Sequence, residues 1–159
     1  MEIISLKDIP KERIFEFFRL QWGSPKMVVS SGVYDGSTLD GFTIINEENE
    51  IIGLVTYIIK AKESEIISLD SLKEGKGIGT SLIQAVESVA LQNQCRLVKV
   101  ITTNDNLLGL KFYQKRGFVL SKIHKNAVQR AREIKPEIPL IGNDGIPIRD
   151  EIELEKLLA

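Results

Sequence analysis

Residues 64–92 read SEIISLDSLKEGKGIGTSLIQAVESVALQ, and the fold turns on them. The opening run, 64–72, is β-rich and reads as a strand. The closing run sets Ile78, Leu82, Ala85, Val86, Val89 and Ala90 at helical spacing, the pattern of a helix with one buried face. Gly75, Gly77 and Gly79 lie between the two. A strand that passes through glycines into a helix presents backbone N–H groups at the positive end of the helix dipole, where they can hold an anion. Glycine also lets that backbone approach a bulky phosphate. The same glycines would equally serve a tight strand-to-helix turn with no ligand. Two nucleotide motifs fail on counting. A dinucleotide fingerprint begun at Gly75 or Gly77 needs Gly or Ala where Thr80 and Leu82 stand, and a Walker A loop begun at Gly75 needs Gly-Lys where Thr80 and Ser81 stand.

Upstream, 2–6 reads as a short strand. Asp8 as a cap and Pro10 in the first turn then announce a helix with Ile14, Phe17, Phe18 and Gln21/Trp22 on its inner face, stopped by Gly23, Ser24 and Pro25. Three β-rich runs follow, 27–34, 41–46 and 51–60, the last two joined by the turn EENE, and 64–72 completes an antiparallel meander. Downstream come a strand at 96–103, a helix from about Asn106 to Arg116 capped by Gly117, a strand at 118–124, and a helix over 126–135. The remaining tail holds prolines, an NDG turn and a strand around Ile152 and Leu154. No repeat, linker or domain boundary interrupts the chain, so one domain over 1–159 is expected.

The chain of 159 residues has 21 Lys plus Arg against 22 Asp plus Glu, a net charge of −1, which excludes a global basic field for nucleic acid or an anionic membrane. One cysteine, Cys95, and one histidine, His124, are too few for a disulfide framework or a Cys/His zinc site, so no metal is expected and a reducing, cytoplasmic setting fits. The N-terminal residues lack a signal-peptide pattern and no apolar run is long enough to span a membrane.

The second motif is Asn106-Leu-Leu-Gly109-Leu-Lys-Phe112-Tyr113-Gln-Lys-Arg-Gly117-Phe118. With Glu74-Gly75-Lys76-Gly77-Ile78-Gly79 before it, it resembles the GCN5-related N-acetyltransferase (GNAT) superfamily, and more narrowly a group of small bacterial members whose acceptors are mostly undefined. The resemblance covers about residues 1–124. It implies an α/β fold of the α+β type, with a mixed, largely antiparallel sheet of about seven strands flanked by helices. It also implies acetyl-CoA as co-substrate and transfer of the acetyl group to a primary amine of a small molecule or peptide. Two positions depart from the family pattern. Glu74 stands where Arg or Gln is usual, so its side chain should point away while backbone amides and Lys73 or Lys76 compensate. Gly109 stands where Ala is usual, at about 1 kcal/mol of helix propensity, which allows close approach of another group such as the cofactor.

On this resemblance the cofactor is held by Leu69, Ser71, Leu72, Lys73, Glu74, Gly75, Lys76, Gly77, Ile78, Gly79 and Thr80 from the first segment. The second segment adds Asn104, Asn106, Gly109 and Phe112. The strand 64–72 lies along the pantetheine, with the Leu69 N–H a donor to the acetyl carbonyl. Tyr113 is the expected general acid for the leaving thiolate, against the alternative of a core tyrosine. Asn106 is a helix cap, a cofactor contact or both. Glu65 and Asp70 are the candidate bases, each alternatively a plain strand acid. Trp22 is placed at the acceptor pocket, against the alternative of a core anchor. Cys95 reads as a small buried hydrophobe and His124 as structural. Lys122, Lys125, Arg130, Arg132 and Lys135 read as a solvated basic face, and Asp144, Asp150, Glu151, Glu153 and Glu155 as an exposed acidic tail. A non-catalytic acyl-CoA-binding domain is the first rival reading. A toxin-type interaction module is the second, and it lacks a basic RNA-binding patch. A homodimer fits the habit of many relatives.

Overall fold

The computed structural model describes residues 2–73 and 75–158. In chain order the elements are β1 (Glu2–Ser5), α1 (Lys11–Trp22), β2 (Lys26–Val29), β3 (Gly32–Asp35), β4 (Asp40–Ile45), β5 (Ile51–Lys60), β6 (Glu63–Ser71), α2 (Ile78–Gln92), β7 (Leu97–Thr103), α3 (Leu107–Lys115), β8 (Val119–His124), α4 (Ala127–Ile134) and β9 (Glu151–Leu157). Seven strands form one sheet in the order β1-β4-β5-β6-β7-β9-β8, and β2 pairs with β3 apart from it. The mixed, largely antiparallel seven-stranded sheet expected from the resemblance is therefore present. The chain divides into two compact units, one of residues 2–27, Tyr34–Val98 and Leu158, the other of Val28–Val33 and Lys99–Leu157.

In the first unit β4, β5 and β6 form an antiparallel meander, but the run 27–34 is not its first strand: β1 pairs antiparallel with β4 in that place. Phe17 and Phe18 of α1 pack with Leu6, Leu54 and Ile67 in one buried cluster on one face of these strands. The other face carries α2, seated so close that a Cβ on Gly53 would fall 2.4 Å from Ile78 Cγ2. β6 departs from regular pairing at one place. Thr56 pairs with Ser68 and Tyr57 with Ile66, so Ile67 is an extra residue, a bulge that re-aims the strand beyond it. In the second unit β8 and β9 run antiparallel, and the segment after α4 folds back on the turn that follows β7.

Two local expectations are corrected. Asp8 does not cap α1: it ends a 3-10 turn over Leu6–Asp8, and Pro10 occupies the cap position with no side-chain hydrogen bond. The run 27–34 is not one strand but two short ones, because Ser30 and Ser31 turn the chain before Gly32. Serine and glycine supply turn chemistry that outweighs the flanking valines.

Candidate functional site

The glycine loop is built by backbone conformation. Gly75 and Gly77 have φ of 74° and 68°, in the left-handed region that other residues enter at a cost. Gly77 is the N-cap of α2 and, lacking a side chain, makes no side-chain cap hydrogen bond. Ser81 donates its backbone N–H to the Gly77 carbonyl, and the first-turn N–H groups of an α-helix have no partner within the helix itself. Lys73, Gly75, Lys76 and Gly77 are exposed, Ile78 and Gly79 buried beneath them. Such an end suits a phosphate-bearing ligand: it supplies N–H donors, a favourable dipole and two nearby lysines, and no atom of the described residues lies within 4 Å of where a Cβ on Gly75 or Gly77 would stand. Glu74 lies outside the described residues.

β6 leads into this loop, and its register sets which groups face where. Leu72 donates its N–H to Ile52, and Asp70 is paired with Leu54 two steps earlier. Bonded pairs alternate along an antiparallel ladder. The N–H groups of Leu69, opposite Val55, and of Ser71, opposite Gly53, therefore turn away from β5. Thr56 and Ser68 share a buried hydroxyl hydrogen bond of 2.6 Å just before Leu69.

Asp70 is half-buried on this strand, and Trp22 at the end of α1 donates its indole N–H to Asp70 Oδ2 at 2.9 Å. Burial pushes the Asp70 carboxyl up to about 6, with the Trp22 hydrogen bond acting against it. Glu65, on the same strand opposite Ile58, is buried at 4% exposure. The structure thus brings together Trp22 and Asp70, which stand far apart in sequence, and does not place Glu65 with them.

In the second unit Tyr113 is buried, at 7% exposure, with edge-on ring contacts to Phe112 and Phe118. The Arg116 guanidinium covers Phe112 at 3.7 Å from its ring centre. Asn106 is the cap of α3. Its Oδ1 accepts the Gly109 N–H at 3.0 Å and its Nδ2 donates to Thr102 Oγ1 at 2.8 Å. A Cβ on Gly109 would lie 2.3 Å from Asn106 Nδ2. The group that comes close to Gly109 is therefore this capping amide. Gly109→Ala should gain about 1 kcal/mol of helix propensity and lose a cap of about the same size, leaving stability nearly unchanged. Asn106→Ala alone should cost about 1 kcal/mol, and adding Gly109→Ala to it should restore most of that. Urea unfolding of the three variants checks this coupling, and strictly additive losses would refute it.

Asn104 holds the chain's own tail. Its Oδ1 accepts the N–H groups of Arg149 and Asp150, and its Nδ2 donates to the Pro147 carbonyl. The adjacent Asp105, at 4% exposure, accepts from Thr103 Oγ1 and from both the N–H and the side-chain amide of Asn143. Nothing in the sequence singles out Asp105, because its partner Asn143 stands too far along the chain for any local signal.

A model of the acetyltransferase (GNAT) family matches residues 11–118. The chain belongs to the GNAT family. It is 49% identical over 158 residues, 99% of each chain, to YxbD of Bacillus subtilis, which is described as an uncharacterized protein. Its fold is similar to that of an IAA acetyltransferase from Bacillus cereus, with a TM-score of 0.72, 21% identity, and 99% and 100% of the two chains covered. It is also similar to a GNAT family acetyltransferase from Elizabethkingia anophelis with acetyl-CoA bound, with a TM-score of 0.66, 25% identity, and 77% and 78% covered.

Cys95 is buried, and burial raises its thiol pKa, which disfavours the thiolate, with Lys62 acting against it. His124 Nε2 meets Glu153 Oε1 at 2.9 Å. The acidic tail is exposed only in part: Asp144 is exposed and Asp150 and Glu155 are half-buried, but Glu151 is 2% and Glu153 7% accessible, and Ser30 bonds Glu151 through both its N–H and its hydroxyl. Nor are the basic residues one solvated face, since Lys135 is buried and Arg132 donates to the carbonyls of Ile138, Pro139 and Ile148. Among the described residues no group of His, Cys, Asp and Glu could hold a metal, and no helix is long and apolar enough to cross a membrane.

Proposed function

We propose that this GNAT protein is an acetyl-CoA-dependent N-acetyltransferase acting on a primary amine of a small molecule or peptide, with residues 1–159 as one acetyltransferase domain. The observation that carries the reading is the uncapped start of α2 behind two left-handed glycines. The acetyl-CoA-bound relative supports the choice of ligand, and a single acetyltransferase family model running from residue 11 to 118 supports one domain.

When bound, acetyl-CoA supplies the acetyl group as a thioester. The N–H groups around Gly77 to Thr80, with Lys73 and Lys76, hold its pyrophosphate. The Leu69 N–H, turned away from β5, donates to the acetyl carbonyl oxygen as negative charge develops there. Asp70 takes the proton from the acceptor ammonium so that a neutral amine attacks; as the C–N bond forms and the C–S bond breaks, the Tyr113 hydroxyl would protonate the leaving thiolate and the second amine proton would return to the Tyr113 oxygen. Asp70 adjoins Leu69, whereas Glu65 lies roughly 13 Å up the strand at about 3.3 Å per residue. A carboxyl with a pKa of about 6 is also ionised at neutral pH yet basic enough to accept a proton.

Thiol release from acetyl-CoA across a panel of primary amines tests the function. Release that requires one class of amine supports it. Tight acetyl-CoA binding with no release for any amine would instead make the protein a non-catalytic acyl-CoA binder. Gly77→Asp tests the loop. No atom of the described residues lies within 4 Å of where its Cβ would stand, and aspartate tolerates the left-handed conformation better than most residues. The folded variant should therefore lose cofactor affinity about tenfold or more, through negative charge at the point of phosphate approach. Unchanged CoA binding by calorimetry would overturn the assignment.

A further inference from the structure

Trp22 is the only tryptophan in the chain. Its place is over-determined. Gly23, at φ of 84°, ends α1 immediately after it, and Phe17 and Phe18 seat the helix against Leu54 and Ile67. Leu54 is also the residue opposite Asp70, so the helix that carries the indole and the carboxylate it meets share one face of the strands. The indole N–H is already donated, to Asp70 Oδ2 at 2.9 Å, and is not available to a ligand. Asp70 Oδ1 takes no hydrogen bond from any described residue.

We propose that Trp22 is a positioning residue: its indole N–H fixes the Asp70 carboxylate through one oxygen and leaves the other to receive the acceptor's proton. The proposal rests on the reading of Asp70 as the base. β5 presents Leu54 opposite it, the nearest charges on the same helix, Glu16 and Arg19, pair with each other, and only burial and the Trp22 bond perturb its ionisation. A donated N–H favours the ionised carboxylate, so removing it raises the carboxyl pKa further.

Because the tryptophan is single, its fluorescence reports on this contact with no substrate present. Wild type should show one transition near pH 6 that is absent in Asp70→Asn and kept in His124→Gln, the control for the one side chain whose class titrates in the same range. Trp22→Phe keeps an apolar ring and deletes the donor. Its kcat/KM profile should have an acid limb moved upward by about half to one pH unit, with KM for acetyl-CoA unchanged. A flat wild-type titration, or a transition that survives in Asp70→Asn, overturns the pairing. An unmoved acid limb in Trp22→Phe overturns the positioning role. If the transition disappears in Asp70→Asn while that variant keeps wild-type turnover, the Trp22 contact stands and the assignment of Asp70 as base falls.

Discussion

Tyr113→Phe should lower turnover by about 10²- to 10⁴-fold, the range typical of a lost general acid, with acetyl-CoA affinity nearly unchanged. The variant separates chemistry from structure because the ring stays. Its edge-on contacts with Phe112 and Phe118 and its burial involve ring atoms that phenylalanine also has. Loss of one buried hydroxyl should cost no more than about 1.5 kcal/mol of stability. A tyrosine that serves only as core would give the reverse pattern, a measurable loss of stability with turnover within about threefold of wild type, too small for loss of a general acid. Paired steady-state kinetics and thermal unfolding distinguish the two, and the second pattern would assign protonation of the thiolate to solvent.

Asp105→Ala should destabilise the protein by about 3 kcal/mol, well beyond the loss of a single neutral hydrogen bond. It strips acceptors from three donors at once, one of them the Asn143 backbone N–H, and hydrogen bonds to a charged group are worth about 1.5–3 kcal/mol each before the relief of desolvating the charge is subtracted. In a chain of this size that corresponds to a melting temperature lower by roughly 6–12 °C. Asp105→Asn should lose less than half as much, since its oxygen can still face Asn143 while its amide donates to Thr103. The neighbouring Gly142 gives a second check. A Cβ there would fall 2.0 Å from Asp105 Oδ2, so Gly142→Ala should destabilise too, and the double variant should lose clearly less than the sum of the two, as contacting residues do. Additive losses would mean that the two positions do not share this contact.

The legible parts of the sequence were those whose cause is local. Helical spacing in 78–92, the Asn106 cap and the Gly117 terminator act within a turn or two of chain, and α2 and α3 formed where that spacing put them. The glycine loop was legible for the same reason: Gly75 and Gly77 occupy backbone states that glycine permits. Gly109 could be read as a place of close approach, but not what approaches, because an Ala-to-Gly change records space and not its occupant. Trp22 and Asp70 are each site candidates in the sequence, yet their contact spans 48 positions, and no spacing rule reaches that far. Asn104 reads as a polar loop residue until the tail is folded against it. Glu151 and Glu153 looked exposed because they alternate with Ile152 and Leu154. That alternation assumes one wet face, whereas a strand lying between β7 and β8, with the Ser30 turn hydrogen-bonded to Glu151, can bury both.

The grip of Asn104 and Arg132 on the tail has a bearing on how the protein can diverge. Both side chains seize main-chain atoms: the N–H groups of Arg149 and Asp150 and the carbonyls of Ile138, Pro139, Pro147 and Ile148. Every amino acid offers a carbonyl and nearly every one an N–H, so lineages can exchange most side chains between 136 and 150 and still keep the same path. Drift in that segment is accordingly a poor guide to altered activity. Gly142 is where the latitude ends, because there the backbone lies against a carboxylate with no room for a single methyl group.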